Sequence, residues 1–210
     1  MFTGLIETIC NVKSFRQSGG GALLTVDLGG LAGETKVGDS IAVNGVCLTV
    51  AKLVGSCADF DISAETLAKT TLGRLTSSSQ VNIERAMKAD ERFGGHFVMG
   101  HIDGVATIKA IERQGQFAVM KFEATADLLS QMVIKGSVAV DGISLTIAEM
   151  DETSFSVALI PQTLEKTTLG KAKVGDLVNI ETDIIIKAVN KKLKSAAGGL
   201  TVEKLKELGF

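Results

Sequence analysis

VNGVCLTV (residues 43–50) and VDGISLTI (residues 140–147) are nearly the same sequence, written 97 positions apart. In each, Asn-Gly or Asp-Gly separates two short apolar, β-branched runs, which predicts a two-residue hairpin with a type I′ turn. The similarity extends outward, because residues 40–84 align without a gap on residues 137–181 with 18 identities in 45 positions. A period this long predicts two copies of a whole small domain rather than a solenoid.

Each copy carries about six strand-like runs, which favours a small closed or nearly closed barrel. TLAKTTLG (66–73) and TLEKTTLG (163–170) each predict a short helical turn ended by a left-handed glycine, Gly73 or Gly170. After residue 184 the apolar spacing becomes helical, and the final TVEKLKELGF offers a threonine N-cap. The predicted fold class is therefore all-β, with two tandem six-stranded barrels and a C-terminal α-helix. We assign residues 1–95 and 96–186 to the barrels and 187–210 to the helix.

The composition limits the classes of function. The net charge is −2 and no basic cluster occurs, which argues against nucleic acid or an anionic membrane surface as partner. Apolar runs are too short to span a bilayer and the first ten residues lack a signal-peptide pattern, so we expect a cytoplasmic protein. The three cysteines form no CxxC, which gives no support for a disulfide framework or a zinc site. Trp and Tyr are absent, so a bound heterocycle would be held by backbone, hydroxyl and aliphatic groups.

Cys47 is the residue that differs most in chemistry between the two copies, since Ser144 replaces it in the second. An isolated cysteine is usually a small buried hydrophobe, but a polar position at a barrel mouth, beside Ser40 and Thr49, would keep its thiol reactive. The two histidines, at 96 and 101, are spaced poorly for one metal ion. A faint match of MFTG (1–4) with HIDG (101–104) pairs Met1 with His101. The Gly-rich segments fit neither phosphate-binding pattern, GxxxxGK[ST] or GxGxxG.

Taken together, the motifs resemble those of the riboflavin synthase family, whose chains contain two lumazine-binding repeats. The segments that carry the resemblance are MFTGLIE, NGVCLTV, GGHFVMGHIDG, DGISLTI and LIPQTLEKTTLG, in the family's order over residues 1–190. The resemblance implies two Greek-key barrels and a C-terminal helix that helps to form a homotrimer. It also implies a transferase that dismutates two molecules of 6,7-dimethyl-8-ribityllumazine to riboflavin and 5-amino-6-(ribitylamino)uracil. No metal or cofactor is implied, and an association with lumazine synthase is compatible with the family.

The resemblance also implies site residues. The first pocket would use Gly4, Leu5, Ile6, Cys47, Leu48, Thr49, Asp61, Ile62, Ser63, Ala64, Glu65 and Thr66. The second would use Gly100, His101, Ile102, Lys135, Ser144, Leu145, Thr146, Ile160, Pro161, Gln162 and Thr163. Cys47 would add to the electron-poor ring or steer a nucleophile to it, and His101 would move protons at the C7 methyl group. Further candidates for stabilising or relaying charge are Ser40, Ser144, Thr146 and Asp141.

A carrier or antenna protein of the same fold, which binds lumazine or flavin without turnover, is the alternative. Such proteins tend to lose the catalytic cysteine, whereas Cys47 and His101 are both present here. A flavin reductase-type barrel would need a nucleotide-binding domain, for which 210 residues leave no room. Gln162 stands where relatives carry Glu, which weakens a role for a second carboxylate.

Overall fold

The structure, a computed structural model, describes residues 1–197, with side chains described as far as residue 193. The predicted helical segment TVEKLKELGF therefore lies outside the described residues. No helix in the described part of the chain is long and apolar enough to cross a membrane.

In the described part of the chain, twelve strands form two closed antiparallel barrels, which confirms the predicted fold class. The first barrel has the strand order β1-β2-β5-β4-β3-β6, and the second repeats this order with β7 to β12. The strands of the first barrel are β1 (Thr8–Ser18), β2 (Gly21–Asp27), β3 (Ser40–Val43), β4 (Val46–Val54), β5 (Cys57–Ile62) and β6 (Gln80–Arg85). Those of the second are β7 (Gly104–Gln114), β8 (Phe117–Glu123), β9 (Ser137–Val140), β10 (Ile143–Met150), β11 (Ser154–Leu159) and β12 (Leu177–Thr182).

Within residues 1–197, four α-helices accompany the strands. Their bounds are α1 (Ala64–Lys69), α2 (Ala126–Leu129), α3 (Pro161–Lys166) and α4 (Ile184–Ala197). Each TLxKTTLG segment contributes to α1 or α3 and then to a 3-10 turn, at Thr71–Arg74 or Thr168–Lys171. Helix α4 exposes Ile185, Val189 and Leu193, spaced four residues apart on one side.

The prediction of a left-handed glycine at the end of these helical turns is wrong. Gly73 and Gly170 lie inside the 3-10 turns, and neither is among the described glycines with positive φ. Gly170 has another reason to lack a side chain, since an added Cβ would clash with the carbonyl oxygen of Leu164. The close return of the chain onto α3, not the backbone conformation, requires glycine there.

The two hairpins confirm the predicted turns. Asn44 and Gly45 have φ values of 45° and 78°, and Asp141 and Gly142 have 45° and 80°, which is the left-handed pair that a type I′ turn needs. The turns also pack against each other, because a Cβ added at Gly45 would lie 2.6 Å from the backbone nitrogen of Gly142. The repeated hairpins therefore form the centre of the contact between the barrels.

The repeated VNIE segments (81–84 and 178–181) tie the barrels together around this centre. Asn82 donates from Nδ2 to the Asp141 carbonyl (3.0 Å), and Asn179 donates to the Asn44 carbonyl (2.9 Å). Each Oδ1 accepts from the opposite repeat, from Thr168 N or Thr71 N, at 2.8 Å. Both asparagines are fully buried, so these crossed hydrogen bonds satisfy polar groups that would otherwise be costly. The interface thus has pseudo-twofold symmetry.

Candidate active site

The candidate residues of the hairpins face outward from the barrels. In β4, the side chains of Val46, Leu48 and Val50 pack in the barrel core, so the alternating Cys47 and Thr49 lie on the outer face. Strand β10 repeats the pattern with Ser144 and Thr146 outside. The expectation of a barrel-mouth position for Cys47 is therefore wrong: the candidate site lies on the outer wall, next to the other barrel.

A segment from each half crosses to the hairpin of the other half. Ser144 N donates to the Gly4 carbonyl (2.8 Å), and Cys47 N donates to the Gly100 carbonyl (2.9 Å). The contacts are close, because a Cβ added at Gly4 would lie 2.6 Å from Ser144 Cβ and one added at Gly100 would clash with Cys47 Cβ. The two crossing segments also bridge each other through Phe2 and Val98. The sequence-based grouping put Gly4 with Cys47 and Gly100 with Ser144. In the structure the partners are the reverse, since Gly4 contacts Ser144 and Gly100 contacts Cys47.

Buried glutamates of the VNIE segments hold the crossing segments. Glu84 accepts from the backbone nitrogens of Thr3 (2.7 Å) and Gly4 (3.0 Å). Glu181 accepts in the same way from Met99 (2.6 Å) and Gly100 (2.8 Å). Burial raises the pKa of both carboxyl groups, and these N–H donors oppose that rise by favouring the charged form.

These contacts also correct the faint sequence match. Because Gly4 and Gly100 hold equivalent places on the two glutamates, the true offset of the crossing segments is 96 residues. The counterpart of His101 is consequently Leu5, and Met1 corresponds to Phe97. The pairing of Met1 with His101 is therefore wrong.

We call the first outer surface the Cys47 site. Cys47 is half-buried, while His101, which directly follows Gly100, is exposed. Ser40 lies opposite Thr49 in the β3–β4 register, two residues from Cys47. A cavity of about 350 Å³ lies beside Ser40 and is lined by Leu5 and Arg85, but its lining does not include Cys47 or His101. The described members of the Cys47 site are Ser40, Cys47, Thr49, Gly100, His101, and the segment Asp61 to Thr66 at the end of the adjacent β5.

We call the second surface the Ser144 site. The end of β11 brings residues 160–163 toward Ser144, because β10 and β11 are antiparallel neighbours and Ile147 pairs with Val157. Thr146 lies opposite Ser137 in β9, and Lys135 N donates to the Ile147 carbonyl at 2.9 Å. The described members of the Ser144 site are Gly4, Leu5, Lys135, Ser144, Thr146, Ile160, Pro161, Gln162 and Thr163.

Several predicted binding residues do not present a side chain to these surfaces. Leu48, Ile62 and Leu145 are buried in the barrel cores, so a ligand could reach only their backbone. Ile6 packs on the core of the second barrel and Ile102 on that of the first, where each anchors its crossing segment. These residues shape the sites by packing.

The two helices at the rim carry mostly exposed polar groups. Ser63 caps α1 by accepting from Thr66 N (3.1 Å), and Glu65 pairs with Lys69 at 2.8 Å on the surface. Gln162, at the position matching Glu65, is exposed in the first turn of α3. Because Glu65 pairs with Lys69 of its own helix, exchanging this carboxylate for the Gln162 amide has a small effect on the rim.

Lys135 has a left-handed backbone, with φ at 66°. Its counterpart in the first repeat is Gly38, with φ at 94° and the matching hydrogen bond to the Val50 carbonyl. A non-glycine residue in this conformation is strained by about 1–2 kcal/mol. Strain of this kind clusters at functional positions. Lys135 is exposed and lies two residues before Ser137, which pairs with Thr146 of the Ser144 site.

Asp141 lies in the hairpin turn, not on the outer wall. Its Oδ1 accepts from Asn179 N at 2.8 Å, as Asn44 Oδ1 accepts from Asn82 N at 2.7 Å in the other repeat. Burial raises the pKa of Asp141 to about 7, and the hydrogen bond from Asn179 only partly opposes that rise. The two hairpin turns therefore differ at this position, which is a titratable carboxyl group in Asp141 and an amide in Asn44.

No sequence pattern assigned His96 to a site. Its Nδ1 lies 2.7 Å from Ser144 Oγ, and its backbone nitrogen donates to the Thr3 carbonyl at 3.1 Å. The only signal available was its place five residues before His101 in GGHFVMGHIDG. Spacing along the chain could not reveal that the two histidines serve different sites.

Comparison with known proteins identifies relatives of this chain. The model of the lumazine binding domain matches residues 3–86 and 99–183. The chain is 40% identical to riboflavin synthase of Actinobacillus pleuropneumoniae over all of both chains. It is 41% identical to riboflavin synthase of Bacillus subtilis, covering 93% of this chain and 91% of that one. The structure of LumP complexed with riboflavin superposes with a TM-score of 0.81 at 23% identity, over 87% of this chain and 99% of LumP.

Two lumazine-binding barrels joined across a pseudo-twofold axis define the class of protein. The likeness to LumP shows the fold alone, since its sequence identity is low. The identities over nearly full length are more specific, and the chain belongs to the riboflavin synthase family. Its members are transferases, and this chain is an enzyme of that class.

Proposed function

We propose that the chain catalyses the last step of riboflavin biosynthesis. Two molecules of 6,7-dimethyl-8-ribityllumazine react, and one gives a four-carbon unit to the other, yielding riboflavin and 5-amino-6-(ribitylamino)uracil. The observation that carries the proposal is the presence of two homologous outer-wall sites that differ at the central side chain, Cys47 or Ser144. Two copies of one substrate need two similar sites, yet the copies must take different roles.

The residues at each site suit a neutral heterocycle with a polyol chain. Hydroxyl groups at Ser40, Thr49, Ser144 and Thr146 face outward, and such groups recognise a ribityl chain by hydrogen bonding. Holding two rings in a reactive orientation supplies up to about 7–11 kcal/mol of the barrier reduction in favourable cases. The enzyme therefore needs placement more than a resident cofactor.

Cys47 and His101 are assigned to the chemistry. Because Gly100 lies directly on Cys47, the crossing segment brings His101 to the same site as the thiol. The thiol adds to the ring or steers a nucleophile to it, and the imidazole moves protons at the acidic C7 methyl group. At the Ser144 site, Lys135 and Thr146 bind and orient the second molecule.

We propose a cytoplasmic homotrimer as the working form, in which residues 1–95 and 96–183 bind substrate and the C-terminal helix, which begins at Ile184 and not at the predicted residue 187, helps to form the trimer. Support comes from α4, which leaves Ile185, Val189 and Leu193 exposed on one chain. Thr49, His101 and Thr146 are exposed on the single chain, which gives further support. A site that is open to solvent needs a second protein surface to exclude water from the reaction. The family's arrangement, with the first barrel of one subunit facing the second barrel of a neighbour, supplies that surface. An association with lumazine synthase, which makes this substrate, would be a further partner.

The direct test is incubation of the purified full chain with 6,7-dimethyl-8-ribityllumazine alone. We expect the green fluorescence of riboflavin to rise, with two molecules of lumazine consumed for each molecule of riboflavin formed. Binding of lumazine without turnover would instead assign the chain to the carrier proteins.

The Cys47→Ser variant, which gives both hairpins the same central residue, tests the assignment of the thiol. We expect turnover to fall roughly 100-fold or more while lumazine affinity changes little, because a hydroxyl nearly matches the thiol in size but is a much weaker nucleophile. Cys57→Ser is the matched control, since Cys57 begins β5 at the end opposite to the site. Unchanged turnover in Cys47→Ser would remove the thiol from the mechanism.

A further inference from the structure

His96 is held rigidly at the Ser144 site. It is 7% exposed, its backbone nitrogen donates to Thr3, and its ring nitrogen Nδ1 lies 2.7 Å from Ser144 Oγ. The opposite ring nitrogen, Nε2, is buried and has no hydrogen-bond partner among the described residues. Burial lowers the pKa of His96, which keeps the ring neutral at physiological pH.

A neutral imidazole carries one proton, on either Nδ1 or Nε2. With the proton on Nε2, the protein would bury an unpaired N–H donor, at a cost of about 1–3 kcal/mol. With the proton on Nδ1, only an acceptor lone pair is left unpaired. Orphaned buried acceptors are less rare than orphaned N–H groups. The unpartnered Nε2 therefore favours the Nδ1–H form, in which the ring donates to Ser144 Oγ.

We infer that His96 fixes Ser144 as a hydrogen-bond donor toward the bound substrate, rather than activating it as a nucleophile. Ser144 Oγ accepts the proton of Nδ1–H, so its own hydrogen must point elsewhere. No other described group lies within hydrogen-bonding distance of this hydroxyl, and Ser144 is only partly buried. The free hydrogen is directed to an acceptor on the ligand, such as a ring carbonyl oxygen or nitrogen.

This role distinguishes the two sites, and it rests on the proposed function for the identity of the ligand. In the described residues, no imidazole lies within hydrogen-bonding distance of Cys47. The Ser144 site therefore offers an oriented donor to its heterocycle, whereas the Cys47 site offers a thiol. His96 acts through Ser144 and is a positioning residue.

The position of the proton is measured directly by long-range ¹H–¹⁵N NMR on the full chain labelled at histidine. The chain has only two histidines, so an assignment needs one variant, and His101 provides an internal comparison. We expect His96 to be protonated on Nδ1 and unprotonated on Nε2 at pH 7.5. A signal from protonated Nε2 would overturn the inference. This measurement does not depend on turnover, so its failure is separate from that of the proposed function.

Two substitutions distinguish a donor from a base. His96→Asn places an amide N–H near the position of Nδ1–H, whereas His96→Ala removes the donor. For a positioning role, His96→Ala should raise the KM for the lumazine about 3- to 10-fold, the value of one lost neutral hydrogen bond, while His96→Asn stays within about twofold of the parent. If the ring took a proton from Ser144, both variants would lose kcat equally, because an amide cannot act as a base.

Discussion

The Cys47 and Ser144 sites share one scaffold and differ in the groups placed on it. In both, a crossing segment lies on the outer face of a hairpin, a glycine makes the contact, and a buried glutamate holds the segment. The backbone and the buried amides are nearly identical, whereas the outward residues differ: Cys47 against Ser144, Leu5 against His101, Gly38 against Lys135. Duplication has preserved the interface that orients the two sites and changed the groups that meet the substrate.

The largest expected effect comes from breaking the crossing contact at the Cys47 site. Gly100→Ala forces a left-handed alanine, costing about 1–2 kcal/mol, and drives its Cβ into Cys47, costing about 1–3 kcal/mol more. The free energy of unfolding should therefore fall by roughly 2–5 kcal/mol in urea titrations at fixed protein concentration. Gly55→Ala is the control, because Gly55 is also left-handed (φ 60°) but has open space around it. Equal losses in both variants would mean that the contact with Cys47 tolerates a methyl group.

The next effect concerns Asp141, the carboxyl group in the second hairpin turn, whose counterpart in the first hairpin is the amide of Asn44. The pKa of Asp141 is about 7 when folded and about 3.9 in an unfolded chain. Between these values the unfolded chain has released the proton and the folded chain has kept it, so stability falls as pH rises from about 4 to 7 and stays low above 7. Asp141→Asn should remove this slope and raise the free energy of unfolding at pH 8 by roughly 2–4 kcal/mol.

The geometry provides a matched test in the other repeat. The Asn44 side chain accepts a hydrogen bond from Asn82 N, and Asp141 accepts the equivalent bond from Asn179 N. An asparagine at position 141 can accept the same bond with its amide oxygen, so it fits without rearrangement. Asn44→Asp should introduce a similar loss of stability above pH 7. A pH-independent difference between Asp141→Asn and the parent would contradict the buried-carboxyl explanation.

The smallest effect separates folding from binding at Lys135. Lys135→Gly relieves the left-handed strain but adds freedom to the unfolded chain, so we expect a net gain of about 0.5–1 kcal/mol in thermal or urea unfolding. The KM for the lumazine should rise, because the variant loses the ammonium at the Ser144 site. A variant that is both more stable and fully active would show that Lys135 has no role in binding. Gly38→Lys, the reciprocal change, should lower stability without affecting the Ser144 site.

Local chemistry in the sequence was enough to predict the hairpins. Asn-Gly and Asp-Gly tolerate positive φ at the first position and favour it at the second, and both turns have it. The repeat and its strand-like runs predicted two closed barrels. The prediction failed at Gly73 and Gly170, because the sequence did not reveal that both glycines lie inside 3-10 turns. At Gly170 the close approach of the chain to Leu164, and not a helix C-cap, requires glycine.

The pairing of Gly4 with Gly100 was decided by contacts distant in sequence. A four-residue match is too short to choose between offsets of 96 and 100 residues. The hydrogen bonds that Glu84 and Glu181 accept from Gly4 N and Gly100 N fix the offset, and these glutamates lie 80 and 81 residues from the glycines that they hold. The same reason explains why His96 was missed, since its partner Ser144 is 48 residues away.

The sequence by itself determined two repeated barrels, the type I′ turns and the set of polar residues from which the sites are built, because these depend on short-range backbone preference and on alternation along a strand. Only the tertiary structure decided which residues share a site. The chain crosses from one barrel to the other before each hairpin, so Gly4 meets Ser144 and Gly100 meets Cys47. The buried side chains of Asn82, Asn179, Glu84 and Glu181 hold the chain in this crossed arrangement. Without it, these polar groups would lose the hydrogen-bond partners that offset their burial.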